Sequence, residues 1–131
     1  MNESPAGRGG ADRAKPRDVE DMGRDVIAAE IRGLQELRLS IGPEFRKAVA
    51  LLLECRGKVI VCGMGKSGIV ARKIAATLSS TGTPAVYLHP GEAAHGDMGM
   101  ITKEDIFLAV SKSGKNDEIT KLLPYLKAMK G

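Results

Sequence analysis

The chain has 131 residues, 43% of them hydrophobic and 27% charged, which is room for one globular core and not for two. Its 20 Lys and Arg against 16 Asp and Glu give a formal charge of +4, yet residues 1–17 hold Arg8, Arg13, Lys15 and Arg17 against only Glu3 and Asp12, so half of the excess lies there. No apolar run is long enough for a membrane span, and a charge this small without interleaved aromatics argues against nucleic acid as a partner.

Residues 1–17, MNESPAGRGGADRAKPR, are rich in Gly, Pro and charge and lack an apolar run. They read as a disordered basic tail, neither a secretory signal nor a core element, with the folded domain over 18–131. From Asp18 to Ser40, Val19, Met22, Val26, Ile27, Ile31, Leu34 and Leu37 recur at helical intervals. Asp18, Glu20 and Asp21 open that helix with negative charge, where its dipole favours it. Gly42-Pro43 interrupts, and Phe45, Ala48, Val49, Leu51, Leu52 and Leu53 mark a second helix expected to end near Arg56-Gly57. Cys55 and Cys62 are the only cysteines. Without CxxC spacing or an export signal they indicate a reduced, cytoplasmic chain in which both act as small buried hydrophobes, with Cys62 also placed to line a site.

After Lys58 the texture changes. Val59-Ile60-Val61 is a β-branched run, followed by a glycine turn and a helical pattern over Ile69–Ser79. Two further apolar runs, Ala85–Leu88 and Ile106–Val110, read as strands, and Asp117–Lys130 as a final helix that Pro124 should bend or shorten. Strands alternating with helices imply an α/β fold with a parallel sheet and helical crossovers. Three strands make a narrow sheet with an apolar edge, so the sheet is expected to be unfinished at Gly131, and copies are expected to associate.

The stretch Val59–Gly68, VIVCGMGKSG, fits the dinucleotide pattern GxGxxG and ends like a P-loop. The first reading needs an acidic residue at the end of the next strand, where Tyr87-Leu88-His89-Pro90 stands, with Glu92 expected in a loop beyond. The second needs a glycine five positions before Gly65, where Ile60 stands. Both nucleotide readings fail. What remains is a sharp strand-to-helix turn whose first amides favour an anion, with Lys66 and Ser67 beside them; a solvated lysine at a tight turn is the plain alternative.

Ser111-Lys112-Ser113-Gly114-Lys115-Asn116 repeats the arrangement after the third strand: two hydroxyls, a glycine and the free amides of a helix start form a phosphate cradle. Simple capping by Asn116 is the alternative. Parallel strands put both loops on one crevice. Into it the second strand sends His89–Asp97, where His95 suits acid–base work, with a structural hydrogen bond or a metal ligand as the other options. Glu118 looks back from the first turn of the last helix, where dipole complementarity would also place an acid.

With GMGKSG, STGTPAVYLHPGEAAHGDMGM and the SxSG of SKSGKNDEI in view, the chain from about Val19 onward resembles the sugar isomerase (SIS) domain of the D-arabinose 5-phosphate isomerases. The resemblance implies a three-layer α/β/α sandwich with a parallel sheet, flavodoxin-like or Rossmann-like, cut off after its third strand and the helix that follows. It implies interconversion of D-arabinose 5-phosphate and D-ribulose 5-phosphate through an enediolate, a step toward the Kdo sugar of lipopolysaccharide, with no cofactor and no obligatory metal.

Matched motif to motif, the resemblance gives catalytic roles to Lys66, His95 and Glu118, and phosphate contacts to Ser67, Ser111 and Ser113; the loop reading adds Gly65, Gly114 and Asn116 to the expected phosphate-binding set. The family's usual SNSGE followed by a hydroxyl residue is altered here at Lys112, Lys115 and Asn116. Family members also continue with further strands, further active-site Glu and His residues and tandem modules. These 131 residues are therefore expected to bind sugar phosphate with little turnover, in a cytoplasmic homo-dimer or tetramer. The rival is a noncatalytic sugar-phosphate module, a sensor or assembly subunit; a dinucleotide enzyme is a distant third.

Overall fold

Val59, Ile60, Val61 and Cys62 are wholly buried in the structure, a computed structural model that describes residues 18–129. The stretch 1–17 expected to form a tail lies outside those residues. By its contacts the chain divides into two units, one up to Gly42 and one from Pro43 onward.

The described part of the first unit is helix α1, Val19–Ser40, at whose start Asp18 accepts a hydrogen bond from the Glu20 amide at 3.2 Å. Arg24 pairs with Asp21 at 2.7 Å and Glu20 at 3.3 Å. These are exposed ion pairs one turn apart, each worth only a few tenths of a kcal/mol by the usual magnitude of about 0.3–0.5 kcal/mol.

The second unit carries α2 (Pro43–Leu53), β1 (Val59–Gly63), α3 (Gly65–Ser80), β2 (Ala85–Leu88), α4 (Pro90–Ala93), β3 (Ile106–Val110) and α5 (Asp117–Met129), with a 3-10 turn at Asp97–Met100. The three strands are parallel in the order β2-β1-β3. Alternation along β1 explains the layers, because successive side chains face opposite ways. Ile60 and Cys62 pack with Leu88, Ala93, Ile101, Ile119 and Leu122 on the side of α4 and α5. Val59 and Val61 pack with Ala71 and Ala75 of α3, against which Leu52 and Cys55 also rest. The sheet is thus covered on both faces, as the α/β/α reading expects.

Three boundaries differ from those read along the chain. Helix α2 stops at Leu53 instead of near Gly57. Gly57 has to meet the start of the sheet: its amide donates to the Glu104 carbonyl at 3.0 Å, and a Cβ on it would run into Asp105 Oδ1 and the Glu104 backbone. Helix α3 begins at Gly65, four residues before its first apolar residue Ile69, so Lys66 and Ser67 ride on its first turn. The segment after β2 is not a plain loop: Glu92 sits in α4, whose first residue is Pro90 and whose cap is His89. Helix α5 continues past Pro124 to Met129, so the proline does not shorten it within the described residues. Cys62 is buried as expected, but Cys55 is only half-buried, its Sγ reaching the Glu104 carbonyl at 3.7 Å.

At the amino end of the strands the buried carboxylate of Asp105 gathers three donors. Its Oδ1 accepts from the Lys58 amide at 2.8 Å, and its Oδ2 from the Thr102 amide and Lys58 Nζ, each at 2.8 Å. Lys58 Nζ also donates to the Met100 carbonyl at 2.9 Å. Burial alone would raise the Asp105 carboxyl, but these bonds from Lys58 and Thr102 outweigh it and hold the group at about 2.

The folded form therefore refuses a proton that the unfolded chain accepts at an ordinary carboxylate pKa near 4. The associated stability, about 2 kcal/mol, is complete above pH ~4 and is lost as pH falls toward 2. Denaturant titrations over that window are expected to show this acid loss, and Asp105→Asn should remove it. An acid limb of equal depth in the variant would show that the network is not its source.

Candidate functional site

The parallel register sets Cys62 beside Leu88 and Gly63 beside Val110, so all three strands end at one edge of the sheet. Three segments start from that edge: Met64–Ser67, His89–His95 and Ser111–Glu118.

The first is built by close approach. Gly65 has φ of 56°, the left-handed region that favours glycine, and it turns the chain straight from β1 into α3. The Gly68 amide donates to the Met64 carbonyl at 3.2 Å, and no side chain caps the helix. The start of α3 therefore presents first-turn amides without a capping oxygen of its own, at the positive end of the helix dipole. Lys66 is exposed and Ser67 half-buried on that same turn.

The second segment uses its first histidine structurally. His89 Nδ1 accepts from the Gly91 amide at 3.2 Å, which holds the imidazole as the cap of α4. Ala93 on α4 packs with Ile119 and Leu122 of α5, and this brings the His95 segment against the start of the last helix. His95 is exposed, its amide bonded to the Glu92 carbonyl at 2.9 Å. Among the described residues no three His, Cys, Asp or Glu side chains gather as a metal-ligand set. Beside this segment a mostly apolar cavity of about 650 Å³ is lined by Ala94, Gly96, Met98, Lys121 and Tyr125, but it includes none of the phosphate-loop residues.

The third segment departs from the expected cradle of free amides. The Gly114 amide donates to Ser111 Oγ at 3.1 Å and the Lys115 amide to Ser113 Oγ at 3.2 Å. Asn116 Oδ1 accepts from Ile119 N at 3.0 Å, so Asn116 caps α5. Short polar side chains bond their own loop wherever it turns, and here they consume the amides that an anion would otherwise find. Each serine hydroxyl still keeps its own proton to donate, and an oxygen that already accepts an amide is a better donor for it. The loop can therefore offer an anion two oriented hydroxyls. Glu118 is exposed in the first turn of α5, one residue past Asp117.

Lys66, Ser67, Ser111, Ser113, Gly114, His95 and Glu118 are thus all carried by segments that leave one edge of the sheet. Cys62 adds no reactive thiolate, because burial pushes its thiol up to about 11. Two structural supports were not read from the sequence: the Asp105 network, and Tyr87, whose hydroxyl donates to the Gly63 carbonyl at 2.9 Å. A lone acid before an apolar strand is a faint signal for the former. Nothing local signals the latter.

Residues 52–131 match the SIS domain family. The arabinose 5-phosphate isomerase KdsD of Yersinia pestis is 51% identical over 113 residues, 86% of this chain and 34% of that protein. Its namesake in Pseudomonas aeruginosa is 55% identical over 104 residues, 79% of this chain and 32% of that protein. Among solved structures, an Escherichia coli CFT073 protein in complex with A5P aligns with a TM-score of 0.78 at 41% identity, covering 87% of this chain and 62% of that one. The chain spans about a third of the length of the curated relatives it matches.

Proposed function

The chain belongs to the SIS domain family, and from that premise we propose that it supplies the sugar-phosphate site of an isomerase acting on D-arabinose 5-phosphate and D-ribulose 5-phosphate. The observation that carries the reading is the pairing of Gly63 with Val110, from which the glycine turn and the serine loop start side by side at one edge of the sheet. The phosphate is taken by the Ser67, Ser111 and Ser113 hydroxyls and by amides at the start of α3, with Gly65 and Gly114 letting the backbone turn close to it. Asn116 contributes through the cap that holds the loop.

In the aldose-to-ketose direction a base removes the proton on C2, the enediolate forms, and a proton is delivered to C1 while the hydroxyl proton moves from O2 to O1. Glu118 is the candidate base, His95 the candidate shuttle for the oxygen proton, and Lys66 the cation beside the developing oxyanion. The names of the relatives support a role on the way to Kdo and lipopolysaccharide. Association of copies as a dimer or tetramer belongs to the same reading, supported by an apolar stripe on α1 in which Val26, Ile27, Ile31, Leu34 and Leu37 are each at least half exposed.

Ser113→Ala is expected to weaken arabinose 5-phosphate binding by roughly tenfold, the usual worth of one charge-assisted hydrogen bond. Calorimetry giving an unchanged affinity would move the phosphate elsewhere.

Turnover measured beside binding separates the isomerase from a noncatalytic sugar-phosphate module. A polypeptide of these 131 residues should bind arabinose 5-phosphate yet convert it at least ~100-fold more slowly than an isomerase of the relatives' length, since one acid–base group contributes on that order. Ordinary enzymatic turnover by the 131 residues would mean that Lys66, His95 and Glu118 suffice.

A further inference from the structure

Three observations converge on one point between β1 and α3. The Tyr87 hydroxyl, reaching from β2, donates to the carbonyl of Gly63, the last residue of β1, at 2.9 Å. A Cβ on Gly68 would lie 2.7 Å from that same carbonyl oxygen and 2.9 Å from the Tyr87 hydroxyl, so the glycine is what lets α3 start this close. One turn further along α3, the Arg72 guanidinium lies 4.7 Å from the centroid of the Tyr87 ring. The tyrosine thus holds the end of β1 with its hydroxyl and the first turns of α3 with its ring face.

We propose that Tyr87 is a positioning residue for the anion site: its hydroxyl fixes the Gly63–Gly65 turn and so sets where Lys66, Ser67 and the first amides of α3 stand relative to a bound sugar phosphate. The residues between the two anchors, Met64 to Ser67, hold their place through the Gly68 amide bond to Met64 and this tether. Without the hydroxyl, the Gly63 carbonyl loses a partner supplied from 24 residues away, and the turn regains freedom that binding must then remove. Arg72 keeps the ring in place but does not replace the hydroxyl. The proposal rests on the reading of this edge as a sugar-phosphate site.

Tyr87→Phe keeps the ring and its contact with Arg72 and deletes only the hydroxyl. In the full-length protein, hydrogen exchange at the Gly68 amide, which donates to the Met64 carbonyl across this turn, is expected to quicken roughly three- to tenfold, and affinity for arabinose 5-phosphate to fall by a similar factor, the scale of one hydrogen bond. Ser113→Ala is the companion: it should lower affinity and leave exchange at the Gly68 amide as in the wild type, which a general loss of packing would not do.

Unchanged exchange at the Gly68 amide in Tyr87→Phe overturns the proposal, and so does faster exchange with full affinity. A wild-type protein that binds neither arabinose 5-phosphate nor inorganic phosphate sinks the functional reading instead; the exchange comparison then still decides whether the hydroxyl holds the turn.

Discussion

Glu118→Gln in the full-length protein is expected to lower turnover of arabinose 5-phosphate by about 100- to 10,000-fold while affinity changes no more than a few-fold. Glutamine keeps the size and hydrogen-bonding reach of the side chain but cannot take a proton. In the proposed site the phosphate is taken by other groups: the Ser111 and Ser113 hydroxyls, already oriented by the Gly114 and Lys115 amides, and the start of α3. A change that acts on the transition state alone lowers kcat and kcat/KM together, whereas a lost ground-state contact raises KM. Lys66→Ala should follow the same pattern, because a cation beside an enediolate matters most when the charge has developed. A kcat within tenfold of the wild type in Glu118→Gln would remove Glu118 from the proton transfer and leave His95 as the group to test.

Gly68→Ala should destabilise the protein by about 1–3 kcal/mol, the usual cost of forcing a methyl into a closed contact, and should abolish measurable sugar-phosphate binding with it. The added carbon meets the Gly63 carbonyl oxygen at 2.7 Å and the Tyr87 hydroxyl at 2.9 Å, and the first of these is backbone that cannot step aside. Relief requires α3 to lift from β1, which carries Lys66 and Ser67 away from the serine loop. Gly99→Ala is the matched control: a Cβ there has nothing within 4 Å, and its stability should stay within about 0.5 kcal/mol of the wild type. Equal melting temperatures for the two variants would contradict the close packing at Gly68.

The strands were legible because each is a short apolar run bounded by glycine, proline or polar residues, and β1, β2 and β3 fall where Val59, Ala85 and Ile106 begin those runs. The start of α3 was not: its first turn, Gly65–Gly68, carries no apolar residue, so periodicity cannot see it, and it is helical because β1 delivers the chain there in the right direction. Helix α4 escaped for the opposite reason, being four residues opened by Pro90 and capped by the His89 imidazole, an unusual capping group. Within the candidate site, the residue types of the serine loop were legible, but their mutual bonding was not. Ser111, Ser113 and Asn116 each accept an amide from two or three residues ahead, a choice decided by the backbone angles of the turn.

By itself the sequence determined the α/β alternation, the parallel sheet it requires, the glycine turn and the serine loop, since each depends on a local period or on a residue type within a few positions. Only the tertiary structure decided that β1 lies between β2 and β3, that Lys58 meets Asp105 across 47 residues, and that Tyr87 reaches Gly63 across 24. Those contacts join side chains that leave no shared pattern along the chain. Their partners are chosen by which strand packs beside which, and that choice comes from burying Val59–Cys62 between two helical layers, a property of the whole second unit and of no single segment.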